Sequence, residues 1–234
     1  MKLGGYILAS LIETPGKTSA VIFTAGCNLK CGYCHAPDLL NTNIDKDIET
    51  RIHSDIEKNI NWIDHIVITG GEPTLQEDLP RFIKNFRKYN KPIKIHTNGT
   101  GPFMLNTLIE DNLIDTISLD YKTTLDQDRY SDIAIQNIHI TDIKKSFSIV
   151  QNSSIDREYR TTLCPAYISL PILIKMAKTL DDTYPWILQQ YRPKNILDIE
   201  RAGHKVFTTK EITPTVKELK EIYPNIRLYG KFGD

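Results

Sequence analysis

The sequence has little of what would mark a membrane, secreted or nucleic-acid-binding protein. Across its 234 residues no apolar run approaches the roughly 20 residues needed to span a bilayer. Its 29 basic side chains are balanced by 29 acidic ones, so no overall field attracts a polyanion, which argues against nucleic acid as a partner. Only four cysteines are present, too few for a disulfide scaffold of this length. No low-complexity segment, short internal repeat or Pro/Gly/Ser-rich linker separates a second domain. The expectation is one domain over residues 1–234, with a core over about 19–193.

What is there is ordinary for a globular chain, at 40% hydrophobic and 25% charged residues, so a continuous core is expected. The N-terminal run "GYILASLI" looks like a short signal peptide, yet it ends at Glu13, lacks a small-x-small cleavage site and enters the turn "TPGK". It reads as a β-hairpin over 3–25. The expected compartment is the cytoplasm, where thiols stay reduced and clustered cysteines suggest a metal.

After the hairpin, two hydrophobic periods alternate. Ile44, Ile48, Ile52, Ile56 and Ile60 recur every four residues and predict one face of a helix. Short apolar runs near 65–69, 93–97, 113–120, 158–163 and 185–191 predict buried strands, with helices near 78–89, 103–111, 138–151 and 170–180 between them. Together with the strand "SAVIFTAG" this makes six strands alternating with helices, a parallel sheet with helical crossovers. About 190 residues are too few for an eight-unit barrel of about 250. The fold class is therefore α/β, a partial (β/α)6 barrel open on one side and preceded by the hairpin. Residues 213–230 predict a helix, "PTVKELKEI", and a strand that cover the bottom or edge of the barrel.

The polar motifs share a position. The cysteine loop, "GGEP", "TNG", "LDYK" and "QQYRP" all fall at or beyond the C-terminal ends of predicted strands, the face on which parallel α/β barrels build their sites. Cys27, Cys31 and Cys34 are spaced C-x3-C-x2-C on the first of these loops. Thiolates suit zinc or iron–sulfur clusters. One reading is a structural zinc with His35 as fourth ligand, although His35 directly follows Cys34 and adjacent residues rarely reach one tetrahedral ion. The other is a four-iron cluster with three irons held by thiolates and one left open.

The cysteine spacing, Tyr33 before the third cysteine and "GGEP" after the second barrel strand resemble the radical S-adenosylmethionine superfamily. Further segments, "ITGGEPTLQ", "HTNGT", "SLDYK", "YRTTLCP" and "LQQYRP", resemble the activating proteins of anaerobic ribonucleoside-triphosphate reductase, in a longer subgroup related to the glycyl-radical activases. The resemblance implies a [4Fe-4S] cluster on the three cysteines and S-adenosylmethionine chelated to its fourth iron. It also implies reductive cleavage to a 5′-deoxyadenosyl radical and hydrogen abstraction from a glycine of the reductase large subunit. Flavodoxin or ferredoxin would supply the electron. A small molecule or nucleotide, such as a deazapurine precursor or a tRNA base, is the alternative substrate; a structural zinc module is the non-enzymatic alternative.

By the same resemblance Tyr33, His35, Gly70, Gly71, Glu72, Asn98, Asp120, Lys122 and Arg160 are cofactor-binding candidates. Each has a plainer reading. "GGEP" also reads as a turn, in which Gly70 and Gly71 allow close approach and Glu72 holds the bend; Asn98 with Gly99 reads as another. Asp120 and Lys122 read as a surface ion pair, and Arg160 as the partner of a buried acid. His96 stands where related activases often carry an acid, and reads as a structural residue. Cys164 reads as a small buried side chain.

Overall fold

The computed structural model describes residues 1–40, 45 and 47–233, so Ile44 of the predicted helical face lies outside the described residues. In chain order the elements are β1 (Leu3–Ser10), β2 (Ser19–Thr24), α1 (Ile48–Asn59), β3 (His65–Gly70), α2 (Leu79–Arg87), β4 (Ile93–Thr97), α3 (Pro102–Glu110), β5 (Thr116–Asp120), α4 (Gln127–Ala134), α5 (Ile140–Asn152), β6 (Asp156–Leu163), α6 (Leu170–Ala177), β7 (Trp186–Gln190), α7 (Ile199–Ala202), α8 (Thr209–Ile222) and β8 (Ile226–Tyr229). The strands form one sheet in the order β1 to β8, with β1 and β8 at its two free ends, so the sheet is open. The expected open α/β sheet led by a hairpin is present.

The chain divides into two compact units. The first comprises Met1–Asn28, Asp38–Ser118 and Lys145–Asp156. In it β1 pairs antiparallel with β2, and β2, β3 and β4 run parallel. Parallel strands are covered on both faces, which is why β2 and β3 are nearly uninterrupted apolar runs. Ile66, Ile68, Ile93 and Ile95 are fully buried, each worth about 1.5–3 kcal/mol relative to exposure. Ile48, Ile52 and Ile56 form the buried stripe of α1, as the four-residue period predicts.

The second unit comprises Leu29–Pro37, Leu119–Lys144 and Arg157–Asp234. Here β6, β7 and β8 run parallel. The C-terminal strand therefore extends the sheet at its edge, one of the two places expected for it. The helix before it begins earlier than "PTVKELKEI" suggests, at Thr209. Thr208 caps it in a reciprocal box with Glu211, and Pro214 lies inside the helix. Two helices were not expected from the sequence, α4 and the four-residue α7.

Trp186 centres the second unit's core. It is fully buried, packs edge-on against Tyr223 at 5.7 Å and donates from Nε1 to Thr161 Oγ1 at 2.9 Å. Trp186→Ala is expected to cost about 3–5 kcal/mol in urea unfolding. Trp62, which is 80% exposed, serves as the control, with a loss within about 0.5 kcal/mol for Trp62→Ala.

Candidate active site

In the first unit the end of β3 is stitched to the backbone just before Cys27. Gly71 N donates to Thr24 O and Glu72 N to Gly26 O, both at 2.9 Å. The two glycines are required by this approach: Gly70 has φ +113°, and a Cβ on Gly71 would lie 2.0 Å from Gly26 O. Glu72, with no exposed surface, then ties down the loops beyond β3 and β4. Its Oε1 accepts from Thr74 N at 3.0 Å, Thr74 Oγ1 at 2.6 Å and Thr97 Oγ1 at 2.7 Å, and its Oε2 from Asn98 N at 2.6 Å. Burial pushes the Glu72 carboxyl up, while these four donors favour its charged form. Asn98, so positioned, turns its Nδ2 toward Cys27 Sγ at 3.7 Å and Asn28 Oδ1 at 3.1 Å. Cys27 is half-buried beside a groove of about 690 Å³, lined also by Gly26, Asn28, Leu75 and Gln76.

In the second unit the rest of the cysteine loop is held by two helix ends. The carbonyls of Ile133 and Ala134, left over at the end of α4, accept from Gly32 N at 3.3 Å and Lys30 N at 3.1 Å. On the other side Asp198 N and Leu197 N, at the start of α7, donate to Gly32 O and Cys34 O at 3.0 and 3.1 Å. Cys31 is thus fixed between two amides that are themselves bonded. Tyr33 is buried and meets Tyr167 edge-on at 5.8 Å.

Asp120 and Lys122 form an ion pair of 2.6 Å, but not at the surface: the Lys122 side chain is 10% exposed and that of Asp120 39%. Lys122 N also receives support, donating to the buried Tyr130 Oη at 3.3 Å. Burial works against the Lys122 ammonium, but Asp120, Tyr33 and Cys31 outweigh it and hold its pKa well above the usual lysine value. Burial likewise pushes up the Cys31 thiol, opposed first by the charge of Lys122. Cys31, Tyr33, Asp120 and Lys122 therefore act on one another electrostatically. Tyr130 was missed in the sequence because nothing marks the short helix that carries it.

Arg160 Nη2 donates to the Gln189 amide at 2.8 Å. His35 stands 6.3 Å from the Tyr191 ring, its pKa lowered by burial and by Arg192. Lys94 Nζ donates to Glu13 O at 2.9 Å and so holds the hairpin connection, while His96 Nε2 lies 3.6 Å from Glu13 Oε2, beyond hydrogen-bond reach. Cys164 is fully buried, its thiol pushed up to about 11 by burial.

The family model for the radical SAM superfamily matches residues 21–168. The chain belongs to the radical SAM superfamily. It is 35% identical to a Methanocaldococcus jannaschii protein named "Putative glycyl-radical enzyme activating enzyme", over 96% of this chain and 94% of that protein. A second M. jannaschii protein with the same description is 27% identical, over 89% of this chain and 81% of that one. Among solved structures, Streptococcus suis SuiB bound to S-adenosylmethionine shares the fold, with a TM-score of 0.69 at 15% identity over 90% of this chain. The chain spans about half the length of the SuiB chain, 50%. As a radical SAM enzyme the protein uses a [4Fe-4S] cluster and S-adenosylmethionine.

The donor chemistry fits that cluster. None of the four cysteines is in a disulfide, and a thiol with the raised pKa of Cys31 becomes a thiolate on binding a cation. Among the described residues no three His, Cys, Asp or Glu side chains converge as ligands of a single ion; a four-iron cluster instead places each thiolate on a separate iron. Gly71→Ala is expected to lose about 1–3 kcal/mol in thermal unfolding, because backbone must move to admit the new carbon. It should also lower iron and sulfide content after anaerobic reconstitution. Glu72→Ala, which leaves four donors without their acceptor, should cost about 3 kcal/mol.

Proposed function

We propose that this radical SAM enzyme is an activase that abstracts hydrogen from a glycine Cα of a partner protein, the large subunit of anaerobic ribonucleoside-triphosphate reductase. The observation that carries this reading is the match along nearly the whole length of an M. jannaschii protein described as a glycyl-radical enzyme activating enzyme. Motifs quoted from the sequence support the choice of reductase. When bound, the cluster and S-adenosylmethionine supply reductive carbon–sulfur cleavage and a carbon radical; the chain supplies position, charge and shielding.

In this reading Cys27, Cys31 and Cys34 ligate the cluster. The carbonyls of Gly70 and Gly71 accept from the methionine ammonium, Lys122 meets the methionine carboxylate and Asp120 accepts from ribose hydroxyls. Glu72 contributes by fixing the turn, consistent with its hydrogen bonds to Thr74, Thr97 and Asn98. Asn98, Arg160, Tyr33 and His35 border the cofactor. Residues 1–234 act as one catalytic domain, supplied with electrons by flavodoxin or ferredoxin. No helix among the described residues is long and apolar enough to cross a membrane, and cysteines outside disulfides accord with a cytoplasmic setting.

The test is an anaerobic EPR spectrum of the reconstituted, reduced protein mixed with S-adenosylmethionine and the reductase large subunit. A glycyl doublet is expected, abolished by Cys31→Ala and retained by Cys164→Ala. Accumulation of 5′-deoxyadenosine with no doublet would overturn the proposed partner and point to a small-molecule substrate.

A further inference from the structure

The side-chain amide of Asn98 has an orientation that its neighbours fix. Its Oδ1 accepts from Thr100 N at 2.9 Å and from Thr100 Oγ1 at 2.6 Å. A backbone N–H can only donate, so this end of the amide is the oxygen and the opposite end the nitrogen. That nitrogen donates to Asn28 Oδ1 at 3.1 Å and to Cys27 Sγ at 3.7 Å, the longer distance reflecting the larger radius of sulfur. Asn28 is held in turn, its Nδ2 donating to Thr100 Oγ1 at 2.8 Å, and Glu72 Oε2 holds the Asn98 backbone amide at 2.6 Å. With Asn98 only 5% exposed, little water competes for its donors. A neutral thiol is a weak acceptor and a thiolate a stronger one. An iron–sulfur cluster gains one negative charge when it accepts an electron, and its potential follows the hydrogen bonds that its sulfurs receive. A donor aimed at a ligand sulfur therefore favours the reduced form.

We propose that Asn98 is a positioning residue whose Nδ2–H donates to the Cys27 sulfur and so raises the reduction potential of the cluster that Cys27 ligates. The inference rests on the reading of Cys27 as a ligand and is independent of which substrate the radical attacks. It assigns Asn98 a task that operates before S-adenosylmethionine binds.

The experiment is a redox titration of the reconstituted full-length protein without S-adenosylmethionine. Dithionite supplies the single electron per cluster, and the reduced state is read by EPR. Asn98→Ala removes the donor, whereas Asn98→Asp keeps the oxygen that Thr100 bonds and sets a second oxygen against the sulfur. Reduction should be disfavoured about fivefold in Asn98→Ala, a fall of about 40 mV for one electron, and at least as much in Asn98→Asp. A role confined to packing gives no shift or the opposite one, because a loosened loop admits water, which solvates the added charge and raises the potential. Midpoints that stay put or rise in both variants would overturn the proposal. Should neither variant retain cluster, the parent decides: pulsed EPR of the reduced protein, with a heavy-nitrogen label in its asparagine side-chain amides, is expected to show coupling of that nitrogen to the cluster, and its absence would equally end the proposal. A parent protein that takes up no iron and sulfide, or a Cys27→Ala variant that keeps the parent's cluster, would instead sink the ligand reading, a distinguishable failure.

Discussion

A buried carboxylate must be satisfied or it destabilises the chain that carries it, and Glu72 meets that demand with donors from two loops. Thr74 comes from its own turn, Thr97 and Asn98 from the end of β4. These bonds fix where β3 and β4 release the chain. Because Gly71 and Glu72 also bond the backbone at Thr24 and Gly26, the end of β2 is placed as well. Three strand ends are thus set by one side chain and two amides. Asn98, whose backbone amide is held by that carboxylate, also turns its side chain toward the sulfur of Cys27.

The second unit solves a related problem by other means. A loop carrying a buried thiol has amides and carbonyls to satisfy, and here the ends of α4 and α7 satisfy them. Helix ends have spare carbonyls and amides by construction. The loop uses the spare carbonyls of α4, and on its other side it accepts from the amides of Leu197 and Asp198, which precede the first turn of α7. No side chain is needed for this, so the residues between the cysteines are constrained mainly by shape. Gly32 is the clearest case, since a Cβ there would lie 2.6 Å from Tyr167 Oη.

Much of this was legible in the sequence, because the strands and the motifs are set by short-range rules. Ile48, Ile52 and Ile56 follow the helical period, and "IKIHT" is a strand with the bounds its apolar run suggests. The glycines of "GGEP" were readable as a close approach, although their partner, Gly26, was not. What stayed hidden depended on tertiary contacts. The segment "QDRYSDIA" is too short and polar to announce α4, and its buried side chains are only Tyr130, Ile133 and Ala134. Pro214 obscured the true start of α8, because a proline reads as a first-turn residue while the Thr208 capping box lies further upstream. The Asp120–Lys122 ion pair was readable from the spacing, but the burial of its lysine was not. β5 stops at Asp120, and the pair forms regardless.

Helix α4 ends on Ile135, a β-branched residue at φ 54°, a left-handed conformation that costs such a side chain of order 1–3 kcal/mol. The eight-residue helix is too short to persist by itself in water. Yet its last carbonyls hold the amides on either side of Cys31. Fraying of this helix therefore releases the two amides that flank Cys31, while Leu197 N and Asp198 N still hold Cys34 O and Gly32 O. The amide protons of Lys30 and Gly32 should exchange with solvent in step with those of α4, so this side of the thiol loop takes its local stability from a helix that does not resemble a site at all.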